Sequence, residues 1–244
     1  MRCRASLVTR PSYFRSAGCI ASPARGKEGL ATLARFSCAL EEFAKVQWGA
    51  SCHVTYLIIN RWYEYLHARL WQRRTETMAD ASFGAITIEN AVNKAVIEMG
   101  YDALRDKQRE AILGFLQGRD VFVSLPTGGG KSLCYSVLPK VFDILRKKRY
   151  KSVVIVISPL ISLMKDQIQS LRTKGIKSTF VSKDLADSDD DVEQALYEGT
   201  YQIIFFSPET LLCDDTWREM MQTQVYKDNV VAFVIDEAHL VKKW

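Results

Sequence analysis

The stretch Leu125–Pro139, "LPTGGGKSLCYSVLP", places three consecutive glycines ahead of a lysine and a serine. Just before it, "DVFVSL" (120–125) is a short apolar run that suits a strand. A strand ending at Leu125, a glycine turn and a helix opening at Lys131 together make an anion trap. Backbone N–H groups of the turn and of the helix N-terminus converge there, and glycine lets a phosphate approach with no Cβ in the way. In that geometry Thr127, Gly128, Gly129 and Gly130 form the cradle, Lys131 reaches the β- and γ-phosphates, and the Ser132 hydroxyl ligates Mg²⁺. The ligand implied is a nucleoside triphosphate. Leu125 stands where the strict GxxxxGK[ST] pattern has its first glycine, so the match is near and incomplete.

A second stretch supplies what the turn lacks. "VVAFVIDEAH" (230–239) is an apolar strand ending in two carboxylates. Asp236 is placed to hold Mg²⁺ and Glu237 to orient and polarise an attacking water. About a hundred residues separate Lys131 from Asp236, room for the βα units that bring both strand ends to one edge of a parallel sheet. The pair of motifs predicts nucleotide-hydrolysis machinery. His239 reads either as part of it or as a structural histidine.

Between the two motifs run "SVVIVIS" (152–158), "KSTFVS" (177–182) and "YQIIFFS" (201–207), near-continuous apolar segments of the kind buried on both sheet faces. Helical stretches alternate with them, as in "LISLMKDQIQSLRTKG", where Leu160, Leu163, Met164, Ile168 and Leu171 share one face and Gly175 can end the helix. The alternation predicts an α/β domain, a parallel sheet flanked by helices. The acidic run "DLADSDDDVE" (184–193) reads as a solvated loop or helix start.

The net charge of +5 is unevenly spread: residues 1–85 hold twelve Lys and Arg against six Asp and Glu, residues 86–244 twenty-one against twenty-two. Total charge is therefore weak support for nucleic-acid binding. The six cysteines form no CxxC pair, and the three histidines do not stand near them at zinc-ligand spacing, so neither a zinc site nor a disulfide framework is expected. The longest apolar stretch, "HVTYLIINRWYEYLHARLW" (53–71), is interrupted by polar and charged residues, and no membrane span is expected. The first twenty-seven residues carry five arginines and no acid, a composition read either as an organelle-targeting peptide or as a disordered or spurious start, with Met78 as the start of a shorter ancestral chain. Residues 1–85 are accordingly set apart as an extension, poorly structured or partly helical, and 86–244 as the domain.

"GYDALRDKQREAI", "LPTGGGKSLCYSVLP", "VISPLISLMKDQIQSL", "FFSPET" and "VIDEAHLVKKW" occur in the order and spacing of RecQ-like DNA helicases of superfamily 2, and the chain from about residue 86 to Trp244 resembles them. The resemblance implies the first RecA-like domain of an ATP-dependent 3′–5′ DNA helicase, with ATP and Mg²⁺ as cofactors, single-stranded or forked DNA as partner and the nucleus as location; the Arg-rich, acid-free start offers the mitochondrion as the alternative. It implies that Tyr101, Arg105 and Gln108 contact adenine, and that Ser158, Ser162, Ser207 and Thr210 line the strand track. Trp244 fits the first aromatic of a loop that couples DNA to hydrolysis, though Leu240, Lys242 and Lys243 depart from the usual pattern there. It further implies a chain truncated before a second motor domain. The competing expectation is a module that holds ATP or single-stranded DNA without turnover. Oligomeric state is open.

Overall fold

A computed structural model of the chain describes residues 7–8, 53–58, 85–126, 128–147, 151–181, 190–213 and 215–238. Along them run β1 (Leu7–Val8), β2 (His53–Ile58), α1 (Ala85–Glu98), α2 (Asp106–Leu116), β3 (Val121–Leu125), α3 (Lys131–Ser136), α4 (Leu138–Leu145) and β4 (Val153–Ile157). There follow α5 (Ile161–Thr173), β5 (Ser178–Val181), α6 (Asp190–Tyr197), β6 (Ile203–Phe206), α7 (Pro208–Cys213), α8 (Asp215–Met221), α9 (Gln224–Asn229) and β7 (Val230–Ile235). The five apolar runs of the domain are all strands. Part of the acidic run opens α6, and its first residues lie outside those described.

The strands form one sheet in the order β1-β3-β2-β7-β4-β6-β5. β4 pairs parallel with both β6 and β7, and β5 pairs parallel with β6. β2 runs antiparallel to β3 on one side and to β7 on the other, with His53 opposite Leu125 and Tyr56 opposite both Phe122 and Ile235. β3 and β7 therefore point the same way without touching, and their C-terminal ends open on one sheet edge. β1 adds antiparallel to the outer side of β3. Both antiparallel strands come from the stretch that sequence alone set apart as an extension.

β4 and β6 are buried on both faces, and alternate residues of each enter two separate cores. Val154 and Val156 of β4, with Ile203 and Phe205 of β6, pack under α1, α2 and α4 through Val92, Ile112, Phe115 and Phe142. Val153, Ile155 and Ile157, with Ile204 and Phe206, pack on the other face against Trp217, Met220 and Tyr226. Edge-to-face ring pairs lie in each layer, Phe115 with Phe142 and Phe206 with Trp217. Side chains of this size stabilise the fold by about 1.5–3 kcal/mol apiece when fully buried. The product is a three-layer sandwich of helices, sheet and helices.

α5 keeps Met164, Ile168 and Leu171 in the core and closes at Gly175 (φ +71). Leu160, expected on the same face, instead takes the N-cap position with extended backbone and is 43% exposed. Its side chain is thrown clear of the helical stripe because the helix begins one residue after it. The start of β4 is fixed from α4: the buried Asp143 carboxylate accepts from the Ser152 N–H at 2.8 Å and from the Lys151 N–H at 3.3 Å. Those two donors precede the first ladder bond of the strand and would otherwise lack partners.

Candidate active site

The glycine turn follows β3 directly. Gly129 N–H donates to the Pro126 carbonyl at 2.9 Å, and a Cβ on Gly129 would stand 2.8 Å from that oxygen. Gly130 is the N-cap of α3 in the left-handed region, φ 77 and ψ 35, and a Cβ there would collide with the Gln108 amide. Neither position accepts a side chain as the loop is folded. Gly128 is exposed on the turn, and Thr127 lies outside the described residues. The half-buried Lys131 folds back over the loop, its Nζ 3.5 Å from the Leu125 carbonyl oxygen, which holds the ammonium against the end of β3.

Of the three residues expected at adenine, Gln108 is the most firmly held. It is buried; its Nε2 donates to the Gly130 carbonyl at 3.1 Å and the Gly129 carbonyl at 3.3 Å, and its Oε1 accepts from the Arg105 N–H at 3.0 Å. One side chain thus ties the segment before α2 to the phosphate turn. Arg105 is the exposed N-cap of α2. Tyr101 is half-buried against the core beside α1, with the Lys174 ammonium 4.5 Å from its ring centroid and donating to its hydroxyl at 2.6 Å. Lys174 had no signal in the sequence beyond its place after the last turn of α5.

At the end of β7, Asp236 and Glu237 are both buried, and the Asp236 N–H extends the ladder to the Ile157 carbonyl at 2.8 Å. Asp236 Oδ1 accepts from the Glu237 N–H at 3.0 Å, and Oδ2 accepts from Gln167 Nε2 at 3.1 Å. Glu237 sits at φ +50, a left-handed conformation unusual for a residue with a side chain and of the sort retained where a site fixes it. Gln167 Oε1 accepts from the Tyr135 hydroxyl at 2.6 Å. Burial holds the Tyr135 phenol well above its ordinary titration range, the Asp236 charge adds to that, and a hydrogen bond from the Ser132 side chain opposes it. The phenol therefore stays protonated and donates. Beside it, burial pushes the Cys134 thiol up to about 12, so that cysteine is an inert core residue.

The strand-track candidates divide by exposure. Ser162 is exposed on the first turn of α5. Ser158 is buried at the end of β4, its N–H donating to the Phe206 carbonyl at 3.0 Å, and its hydroxyl has no hydrogen-bond partner among the described residues. Ser207 is buried and caps α7: its Oγ accepts from the Thr210 N–H at 3.2 Å and lies 3.0 Å from Thr210 Oγ1. His239 and Trp244 lie outside the described residues.

Mg²⁺ takes one or two protein oxygens and completes its octahedron with water and phosphate. The Ser132 hydroxyl and the Asp236 carboxylate are oxygens of that kind, and Tyr135, on the helix of Ser132, reaches Asp236 through Gln167, while among the described residues no group of three or more His, Cys, Asp or Glu could hold a metal ion. The donor set thus fits a hard cation carried in with a phosphate. Tyr135 and Gln167 were not singled out from sequence. Two signals were present: Tyr135 lies three residues after Ser132, hence on the same helical face, and Gln167 is a polar residue set beside the apolar stripe of Met164, Ile168 and Leu171.

Over residues 105–244 the chain matches the family model described as DEAD/DEAH box helicase. It is 41% identical over 142 residues to the ATP-dependent helicase SGS1 of Saccharomyces cerevisiae, an overlap covering 57% of this chain and 10% of that protein. It is 34% identical over 171 residues to the ATP-dependent DNA helicase RecQ of Haemophilus influenzae, covering 68% of this chain and 25% of the relative. Against the RecQ-like DNA helicase BLM of Xenopus laevis the identity is 34% over 150 residues, 60% of this chain and 10% of that one. The chain spans a tenth to a quarter of the length of these relatives.

Proposed function

The chain belongs to the DEAD/DEAH box helicase family, and from that membership we propose that residues 86–244 are the ATP-binding part of a RecQ-like DNA helicase motor. In the working motor, hydrolysis of ATP drives movement along single-stranded DNA and unwinding in the 3′–5′ sense. The observation that carries the reading is the link from α3, the helix opened by the glycine turn, to the Asp236–Glu237 strand end through Tyr135 and Gln167.

The roles proposed for the residues draw on the family and on where each side chain stands. The turn's N–H groups and Lys131 bind the phosphates, and Ser132 with Asp236 would hold Mg²⁺, which when bound neutralises charge on the β- and γ-phosphates. Glu237, fixed by its backbone, orients and polarises the attacking water. Arg105 and Gln108, the latter on giving up its bonds to the Gly129 and Gly130 carbonyls, take the adenine edge, and the Tyr101 ring stacks on the base. Ser162 offers its hydroxyl to a DNA phosphate, a contact that positions a strand without reading it. An arginine supplied from outside residues 86–244 completes the charge stabilisation, a contribution of roughly 10³–10⁵ in rate for phosphoryl transfer. The nucleus as its place of action is supported by the relatives from yeast and frog. Among the described residues no helix is long and apolar enough to cross a membrane.

Titration of the 244-residue chain with a fluorescent ATP analogue, with and without Mg²⁺ and beside Lys131→Ala, tests the reading. Saturable binding that the substitution abolishes is the expected result; identical weak signals from both proteins overturn it. The alternative, a holding module without turnover, has its own signature: Lys131-dependent binding with no phosphate release when single-stranded DNA and Mg²⁺ are supplied.

A further inference from the structure

The contact between Gln167 and Asp236 can be oriented from chemistry alone. A carboxylate only accepts, so the amide must turn its NH₂ toward Asp236; its carbonyl oxygen then faces Tyr135, which must donate. Donors thus run one way, from Tyr135 to Gln167 to Asp236. Tyr135 rides on α3, the helix that also carries Ser132, so the two oxygens assigned to Mg²⁺ are linked through that helix and this chain, and its middle member rides on α5, a helix outside both nucleotide motifs.

We propose that Gln167 is a positioning residue for the Mg²⁺ site: it fixes the Asp236 carboxylate relative to the Ser132 hydroxyl and so ties the placement of α5 to the affinity for the metal. The inference rests on the reading of this site as an ATP site and adds its control. α5 carries the exposed Ser162 on its first turn and Gln167 little more than one turn later, so a displacement of the helix from its N-terminal end moves the amide that holds Asp236. Gln167 touches neither phosphate nor base; its effect passes through the carboxylate. Groups in this outer position around a metal typically change its affinity by about 10–100-fold when removed.

The test uses the full chain and two substitutions that keep volume and remove a link, Gln167→Met and Tyr135→Phe. Each is titrated with Mg²⁺ at fixed fluorescent ATP analogue, then with the analogue in EDTA, and melted thermally. The expected result is a Mg²⁺ midpoint raised about tenfold in Gln167→Met and by less in Tyr135→Phe, with metal-free affinity and melting temperature near wild type. An unchanged midpoint in both variants, beside Lys131-dependent binding by the wild type, sinks the positioning role and leaves the ATP site standing. Equal weakening with and without Mg²⁺, together with a lower melting temperature, assigns Gln167 to packing and also overturns it. Wild-type chain that shows no Lys131-dependent binding removes the ATP reading, and this inference falls with it.

Discussion

Gln108 stands so close to Gly130 that a β-carbon on the glycine would collide with the glutamine amide. Gln108 rides on α2 and Gly130 caps α3, and the contact closes the glycine turn from the side of α2.

Gly130→Ala therefore carries two separable costs. The left-handed backbone at φ 77 costs an L-residue roughly 1–2 kcal/mol, and the collision adds to it. Gln108→Ala relieves only the collision. Urea denaturation of the two single variants and the double is expected to show the double less destabilised than the sum of the singles, with the backbone cost remaining.

The ammonium of Lys174 holds the Tyr101 ring by its face and its hydroxyl at once. Tyr101→Phe removes the hydrogen bond and keeps a ring for the base, so ATP-analogue affinity is expected to stay within about twofold of wild type. Tyr101→Ala is expected to weaken it about tenfold, in line with the roughly 1–3 kcal/mol that base stacking on an aromatic contributes. Fluorescence titration of both variants decides whether the ring is a platform for the base or only a wall of the core.

Stability should fall in alkali through buried acids that the fold keeps neutral. The Cys134 thiol has its folded value pushed from 9.0 to about 12, so its contribution is complete below 9.0 and declines as pH rises toward about 12, where the unfolded chain sheds a proton the folded chain retains. Tyr135 and Tyr226 are shifted in the same direction by burial. Chemical denaturation between pH 8 and 11 is expected to show a downward slope that is shallower in Cys134→Ala.

Tyr56 is paired on both sides, to Phe122 of β3 and to Ile235 of β7. Tyr56→Pro removes a ladder donor from a central strand, a place proline is not tolerated. The expected outcome is loss of cooperative unfolding and of ATP-analogue binding together, measured by thermal melting and titration. A variant that binds and melts like wild type would show β2 to be an ornament of the sheet.

The domain's strands were legible because burial on both faces removes the polar alternation that would confuse them, leaving runs such as Val153–Ile157 that fit little else. The glycine turn and the Asp236–Glu237 pair stood out because the chemistry proposed for them requires those residue types at those places. Leu160 misled because helical periodicity does not say on which residue a helix begins. Gln167 and Lys174 were hidden for a different reason: each acts on a residue about seventy positions away, and no local pattern marks a side chain whose partner is set by the packing of helix on sheet. β2 was hidden likewise, its alternation read only for its length and polarity.

The strand that carries the phosphate turn and the strand that carries the carboxylates share no main-chain hydrogen bond; each bonds to His53–Ile58 lying between them. Any motion that opens or closes the distance between Lys131 and Asp236 is therefore a shear across two antiparallel ladders, and its stiffness is written in residues far upstream of either motif. A protease cut or a bulky tag near residue 55 would act on the nucleotide site as a loosened hinge pin acts on a door, without altering one atom of the residues that hold the phosphates.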